Sequence, residues 1–138
     1  MVLIDPGSQY LQTVLPPDVW NAWMWTIAAT GSKNPNGEQP DYPASIAFLA
    51  TLPPVKRVPT VVLTSDEPID FLGIGDAPGY HPNWVRAQTL LSRSLGAKEI
   101  TKTGSGHFIQ TENPGLVIAE TKAVLNVLKS RAAHEPRG

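Results

Sequence analysis

The sequence predicts an α/β fold in which three parallel strands form part of a doubly wound sheet. Short apolar runs typical of buried strands alternate with longer segments that have helical periodicity. Strands separated by helical connections pair in parallel, and right-handed crossovers place helices on both faces of the sheet. The predicted order is strand, helical insertion, strand, helix, strand, helix.

Composition limits the class of protein. The chain has 138 residues, 41% hydrophobic and 17% charged, which is typical of one small globular domain or part of a larger one. We assign residues 1–130 to the domain and 131–138 to a polar tail. A net charge of −1 gives no attraction for nucleic acid or an anionic membrane surface. With no cysteine, no clustered histidines, no signal peptide and no long apolar run, we expect no metal, no cofactor and a cytoplasmic location.

The first element is a buried strand followed by an insertion. Residues 1–4 form a continuous apolar run of the kind that parallel sheets bury on both faces. Asp5 and Pro6 then break the strand. Residues 9–57 are punctuated by prolines, and this stretch is predicted to be a helical insertion rather than part of the sheet.

Two helices are predicted in the insertion. The first covers residues 18–30, with Asp18 as its N-cap and Gly31 as its end, and the second covers 42–52. Trp25 lies off the apolar face of the first helix. The side chains predicted to face inward are Trp20, Trp23, Met24 and Ile27 in the first helix, and Ile46 and Leu49 in the second.

The second half of the chain alternates strands and helices more regularly. Residues 60–63 and 99–102 are predicted strands, and residues 83–95 form a helix that ends at Gly96. The Asn-Pro pair at 113–114 starts a last helix that runs to about residue 130. Its predicted inward stripe is Val117, Thr121, Val124 and Leu128.

The strongest functional signal is the turn Gly104-Ser105-Gly106-His107, which leaves the end of the third strand just before a capped helix. Glycines allow a sharp bend and leave the imidazole accessible, as a general base requires. The alternative is a loop histidine that is hydrogen-bonded to backbone. The strand-turn-helix context favours a functional His107 over that alternative.

These residues resemble a known family. The run at 104–110, GSGHFIQ, followed by Asn-Pro, resembles the catalytic-histidine loop of α/β-hydrolases. Residues 58–63, VPTVVL, resemble the family's penultimate strand, and 84–96 the helix after it. Residues 2–6, VLIDP, resemble the strand after the nucleophile region. The resemblance implies the last three strands of an α/β-hydrolase, with residues 9–57 as a lid-like insertion.

The resemblance also implies a serine nucleophile at a G-x-S-x-G elbow, and the sequence contains no such motif. Ser105 is interpreted as a turn residue. We therefore expect ester-type hydrolysis as the parent activity, with His107 as general base, and no activity from this chain alone. Our hypothesis is a truncated or split hydrolase, with an in-frame G-x-S-x-G encoded upstream of Met1.

The acid that orients His107 is left open by the sequence. The family usually ends its penultimate strand in G-x-x-D, but here proline stands at the expected aspartate. Asp66 lies two residues early and Asp70 two residues late, and some members take the acid from the preceding strand, which is Asp5. Asp5 and Asp66 are equal candidates, with Asp70 behind them. Helix-cap or turn chemistry is the alternative for each.

The tryptophans are the candidate substrate-binding residues. Trp20, Trp23 and Trp25 are placed to line an apolar pocket for a small ester-like substrate, once a nucleophile-bearing segment completes the site. Helical spacing favours ordinary packing for the first two. His81 and His134 have no partner in sequence and are expected to be solvated.

Two other classes of protein remain. One is a non-catalytic binding or interaction domain, and the exposed apolar edge of the first strand favours self-association. The other is a nucleotide-binding unit, which rests on the glycine-rich residues 73–79. No clear strand precedes that run and Pro78 interrupts it, so a surface loop is the better interpretation.

Overall fold

The chain forms a mixed α/β structure around a small parallel sheet. The computed structural model describes residues 1–33, 41–53, 55–68 and 80–134. The strands are β1 (Val2–Ile4), β2 (Val61–Leu63) and β3 (Lys98–Ile100). They pair in parallel in the order β1-β2-β3. This arrangement confirms the predicted α/β class and the predicted parallel pairing of these three strands.

Six helices surround this sheet in the part of the chain that the structure describes. Three lie in the insertion between β1 and β2, one lies between β2 and β3, and two follow β3. Their bounds are α1 (Tyr10–Val14), α2 (Pro17–Lys33), α3 (Tyr42–Thr51), α4 (Tyr80–Leu95), α5 (Ile109–Glu112) and α6 (Pro114–His134).

The core consists of two apolar clusters. The sheet cluster joins Val61 and Leu63 of β2 to Ile109 of α5 and Val124 of α6. Because side chains alternate along a strand, Val62 points to the opposite face of the sheet. The helical cluster joins α1, α2 and α4 and consists of Leu11, Leu15, Trp20, Trp23, Trp84 and Ala87. The helical insertion is therefore packed on α4 rather than directly on the sheet.

Several helix ends differ from the predicted ones. Helix α2 continues through Gly31 to Lys33, since one glycine inside a helix costs only about 1 kcal/mol and does not have to end it. Helix α4 begins at Tyr80, three residues before the predicted start, and includes Pro82 in its first turn, where proline is tolerated. Helix α6 continues to His134, so part of the predicted polar tail is helical.

The short helices α1 and α5 were not predicted, and two predicted inward faces are partly wrong. Leu49 is 46% exposed and Leu128 is 41% exposed, whereas Ile46 packs against the helical cluster and Val124 is buried. Within the described residues the sheet has three short strands, and the part of α6 that follows Val124 is exposed. Among the residues that the structure describes, no helix has the length and apolar character needed to cross a membrane.

Candidate functional site

The carboxyl ends of the three parallel strands meet at one edge of the sheet. Asp5 follows β1, the Thr64–Asp66 segment follows β2, and the loop that carries His107 follows β3. In open parallel α/β sheets, ligands bind outside this edge. The three predicted catalytic residues, Asp5, Asp66 and His107, lie on these three connections.

Asp5 and His107 are joined directly. The distance from His107 Nδ1 to Asp5 Oδ2 is 2.8 Å, although the residues are 102 positions apart. Asp5 is buried, whereas the His107 side chain is 30% exposed. An ionised carboxylate only accepts hydrogen bonds, so Nδ1 carries the proton and donates. In a neutral imidazole, Nε2 is then the basic nitrogen, on the side of the ring away from Asp5.

The other oxygen of Asp5 is held by two further donors. Oδ1 accepts from the backbone N–H of Ser65 at 2.9 Å and from the indole N–H of Trp84 at 2.8 Å. The Asp5 backbone donates to the carbonyl of Leu63 at 2.7 Å. Its φ angle is +42°, in the left-handed region that aspartate adopts more readily than most residues. The backbone turns out of β1 at this residue and presents its carboxylate to the β2 and β3 connections.

Asp66 holds the loop before His107. Its Oδ1 accepts from the Thr103 hydroxyl and from the backbone N–H of Ser105, each at 3.0 Å. Burial raises the pKa of Asp66, but hydrogen bonds from Ser105, Gly104 and Thr103 outweigh that effect and lower the pKa below its usual value of 3.8. Of the two equal candidates for the acid, Asp5 is therefore the one bonded to Nδ1 of His107, and Asp66 supports the loop.

Glu112 holds the same loop from the other side. Its Oε2 accepts from the Ser105 hydroxyl and from the Gly106 N–H, each at 2.7 Å. Ser105 is fully buried. Gly104 has φ +58°, which fits the predicted glycine turn. Ser105 is thus a structural residue of the turn, as the sequence indicated.

The fold and these contacts are the whole basis for assigning a function. No protein-family model, curated protein or solved structure matches this chain. The assignment therefore depends on the geometry of the Asp5–His107 pair and its surroundings.

The predicted substrate-binding tryptophans have different environments. Trp20 and Trp23 are buried in the helical cluster, with ring centroids 5.6 Å apart, whereas Trp25 is 74% exposed. A series of aromatic rings connects the cluster to the site. Centroid distances are 6.2 Å from Trp23 to Tyr80, 6.1 Å from Tyr80 to Trp84, and 6.1 Å from Trp84 to His107.

Tyr80 occupies the middle of this series. Burial raises its pKa well above the usual value of 10.0, and electrostatic interactions with Tyr42 and Asp5 raise it further. The Tyr80 hydroxyl therefore stays protonated across the physiological range. Trp20 and Trp23 pack within the helical cluster. Their role in binding substrate stays a prediction.

Sequence reasoning missed four residues of the site. Ser65, Trp84 and Glu112 provide hydrogen bonds that no local pattern predicts, because their partners are distant in sequence or lie on a turn. His81, which was expected to be solvated, is half-buried, and its Nε2 lies 3.3 Å from the Ser65 carbonyl. That expectation was wrong because α4 begins earlier than predicted and brings His81 next to the β2 connection.

The remaining candidate residues lie elsewhere. His134 is exposed, and its ring nitrogen Nδ1 is 2.6 Å from the carbonyl of Ser130. Asp70 and the glycine-rich residues 73–79 lie outside the described residues. Within the ranges that the structure describes, no three His, Cys, Asp or Glu side chains form a group that could hold a metal ion.

Proposed function

We propose that this chain supplies the histidine and acid of an α/β-hydrolase that cleaves ester-type bonds in a small-molecule substrate. The observation that carries the proposal is the 2.8 Å contact between His107 Nδ1 and the buried carboxylate of Asp5. In this role, Asp5 orients the imidazole and stabilises its protonated form. Nε2 takes the proton of a serine as that serine attacks the substrate carbonyl.

The surroundings of the pair support a catalytic role over a purely structural one. The acid is buried and the histidine side chain is 30% exposed, and a general base has to be within reach of its substrate. The pair also lies at the carboxyl edge of a parallel sheet, where α/β proteins bind ligands. The chain order, with the acid before the histidine, agrees with the order found in α/β-hydrolases.

In this proposal the serine comes from a segment outside these 138 residues, because they contain no G-x-S-x-G motif. Ser105 is unsuitable, because its hydroxyl is fully buried and bonded to Glu112. In the described part of the chain, β1 pairs with β2 on one side only. A strand that carries the nucleophile and pairs with the open edge of β1 would bring its serine to the same edge of the sheet as His107. The helical insertion at 9–57 would then act as a lid.

The test is serine-directed labelling of the complete gene product. The DNA upstream of Met1 is read for an in-frame G-x-S-x-G, and the protein that includes it is treated with a fluorophosphonate and assayed on p-nitrophenyl butyrate. Labelling and turnover are expected, with turnover about a thousandfold lower in His107→Ala and Asp5→Asn. Ser105→Ala is the matched control and should retain turnover. A product that is not labelled, or is labelled equally well in His107→Ala, contradicts the proposal.

The second candidate is a non-catalytic binding domain. It is favoured by the exposure of large apolar side chains on and after the insertion helices, which a partner or ligand could cover. Trp25, Phe48 and Val55 are 74%, 63% and 68% exposed. This candidate predicts a stable 138-residue protein that binds a ligand saturably or associates with itself through β1. In that case, His107→Ala would leave binding unchanged.

A further inference from the structure

Trp84 is connected to both members of the Asp5–His107 pair. It is buried in the first half of α4, and its indole N–H donates to Asp5 Oδ1 at 2.8 Å. Its ring also meets His107 edge-on, with centroids 6.1 Å apart and planes at 71°. One side chain from a helix thus contacts the acid by a hydrogen bond and the histidine by packing.

The two oxygens of Asp5 have different partners. Oδ1 accepts from Trp84 and from the Ser65 backbone, and Oδ2 faces His107. A carboxylate oxygen has two lone-pair sites, so both sites of Oδ1 are occupied. Rotating the carboxylate away from His107 would break both bonds at Oδ1. The donors at Oδ1 therefore determine the plane in which Oδ2 meets the imidazole.

The backbone of Asp5 adds to the need for such support. A φ of +42° is rarely populated by residues other than glycine, and it persists where the surroundings fix it. The backbone donor to the Asp5 carboxylate is the Ser65 N–H of the β2 connection, whereas Trp84 comes from α4. Trp84 is thus the contact that ties the acid to the helical layer.

We infer that Trp84 is a positioning residue whose indole N–H orients the Asp5 carboxylate and so maintains the Nδ1–H tautomer of His107. Trp84 acts through Asp5 and does not itself touch substrate. The tautomer that it maintains leaves Nε2 as the basic nitrogen. The catalytic consequence rests on the proposed function, but the effect on the tautomer does not, and it is measurable in the 138-residue chain.

The experiment is ¹⁵N NMR of the His107 ring at a pH where the imidazole is neutral. Two changes remove the indole N–H: Trp84→Phe, and site-specific replacement of Trp84 by an analogue with sulfur in place of the ring N–H. The analogue keeps the size of the indole, so it decides the question if Trp84→Phe does not fold. The matched control is Trp20→Phe, which removes an indole from the same helical cluster.

The fraction of the Nδ1–H tautomer should fall, and exchange of that proton with water should become about tenfold faster, in both Trp84 variants and not in Trp20→Phe. An unchanged tautomer in the sulfur analogue overturns the inference and leaves Trp84 as a packing residue. Failure of the proposed function is distinct. It would be detected as absent fluorophosphonate labelling of the complete gene product, with the effect on the tautomer intact.

Discussion

Asp66 and Ser105 are joined by reciprocal hydrogen bonds across the β2 and β3 connections. The Ser105 N–H donates to the Asp66 carboxylate at 3.0 Å, and the Ser105 carbonyl accepts from the Asp66 N–H at 3.1 Å. The loop that carries His107 is thereby attached to the end of the central strand. Because His107 is two residues further along, the position of its ring depends on this attachment.

The first prediction concerns the stability of that attachment. Asp66→Ala removes the acceptor for the Ser105 N–H and one of two acceptors within reach of the Thr103 hydroxyl, and it should lower the free energy of unfolding by about 1–2 kcal/mol. This loss of stability is limited because Asp66 is exposed, so water can replace part of the hydrogen bonding that its carboxylate provides. Urea denaturation measures the change. The control Glu67→Ala alters the neighbouring exposed carboxylate and should stay within about 0.5 kcal/mol of the wild type.

The second prediction concerns pH. The pKa of Asp66 is lower in the folded protein than its usual value of 3.8. Its contribution to stability is therefore fully present above that value and is lost as the pH falls through the folded pKa. The difference in free energy of unfolding between wild type and Asp66→Asn should be constant near neutral pH and shrink below 3.8. A difference that grows on acidification would contradict the lowered pKa.

Much of the fold was predictable because it depends on local patterns. The apolar runs at β1 and β2, the helix that ends at Gly96 and the Asn-Pro start of α6 are each encoded by adjacent residues. Gly96 has φ +60°, as a helix end of this type requires. The short helices α1 and α5 were missed, because a helix of four or five residues is too short to show a repeating apolar pattern.

Which aspartate contacts His107 was not predictable, for a geometric reason. Asp5 and Asp66 both follow strands that end at the same edge of the sheet, so spacing alone gives them equal access to His107. The left-handed backbone of Asp5 and the Trp84 donor decide the direction of the carboxylate. Helical periodicity predicts that the Trp84 ring faces inward, but it does not predict where the indole N–H points.

The third prediction concerns Glu112, which holds the loop that carries His107 from the side opposite Asp66. Glu112→Ala removes the acceptor for the Ser105 hydroxyl and the Gly106 N–H. Exchange of the Gly106 amide proton should become about tenfold faster, which corresponds to about 1.4 kcal/mol of lost stabilisation. Hydrogen-exchange NMR measures this rate. Gln110→Ala changes an exposed residue of the same short helix and serves as the control. Equal exchange rates in both variants would mean that Glu112 does not hold the loop.

The fourth prediction concerns Asp5→Asn. The two donors at Oδ1 would hold the amide oxygen of asparagine, which places its NH₂ group opposite His107. His107 would then have to accept at Nδ1 and carry its proton on Nε2. Asparagine tolerates the φ of +42°, so the fold should persist. Ring ¹⁵N shifts should report the Nε2–H tautomer in this variant and the Nδ1–H tautomer in the control Asp18→Asn. An Nδ1–H signal in Asp5→Asn would contradict the assigned hydrogen bonds.

The fifth prediction concerns the contact between the turn after β1 and the insertion. A Cβ atom added at Gly7 would lie close to the ring and hydroxyl of Tyr42, with the ring atom Cε1 at 2.9 Å. Gly7→Ala should therefore lower the free energy of unfolding by about 1–3 kcal/mol, because Tyr42 has to move out of the cluster that contains Trp23. Thermal unfolding measures the loss.

Gly115→Ala is the control for the fifth prediction, since its nearest neighbour would be 3.9 Å away. It lies in the first turn of α6, where alanine favours the helix, so no loss is expected. Adding Tyr42→Phe to Gly7→Ala removes the hydroxyl that approaches most closely and should restore part of the stability. Because Gly7 is two residues from Asp5, a Gly7→Ala protein as stable as the wild type would mean that the insertion does not pack against the segment that carries Asp5.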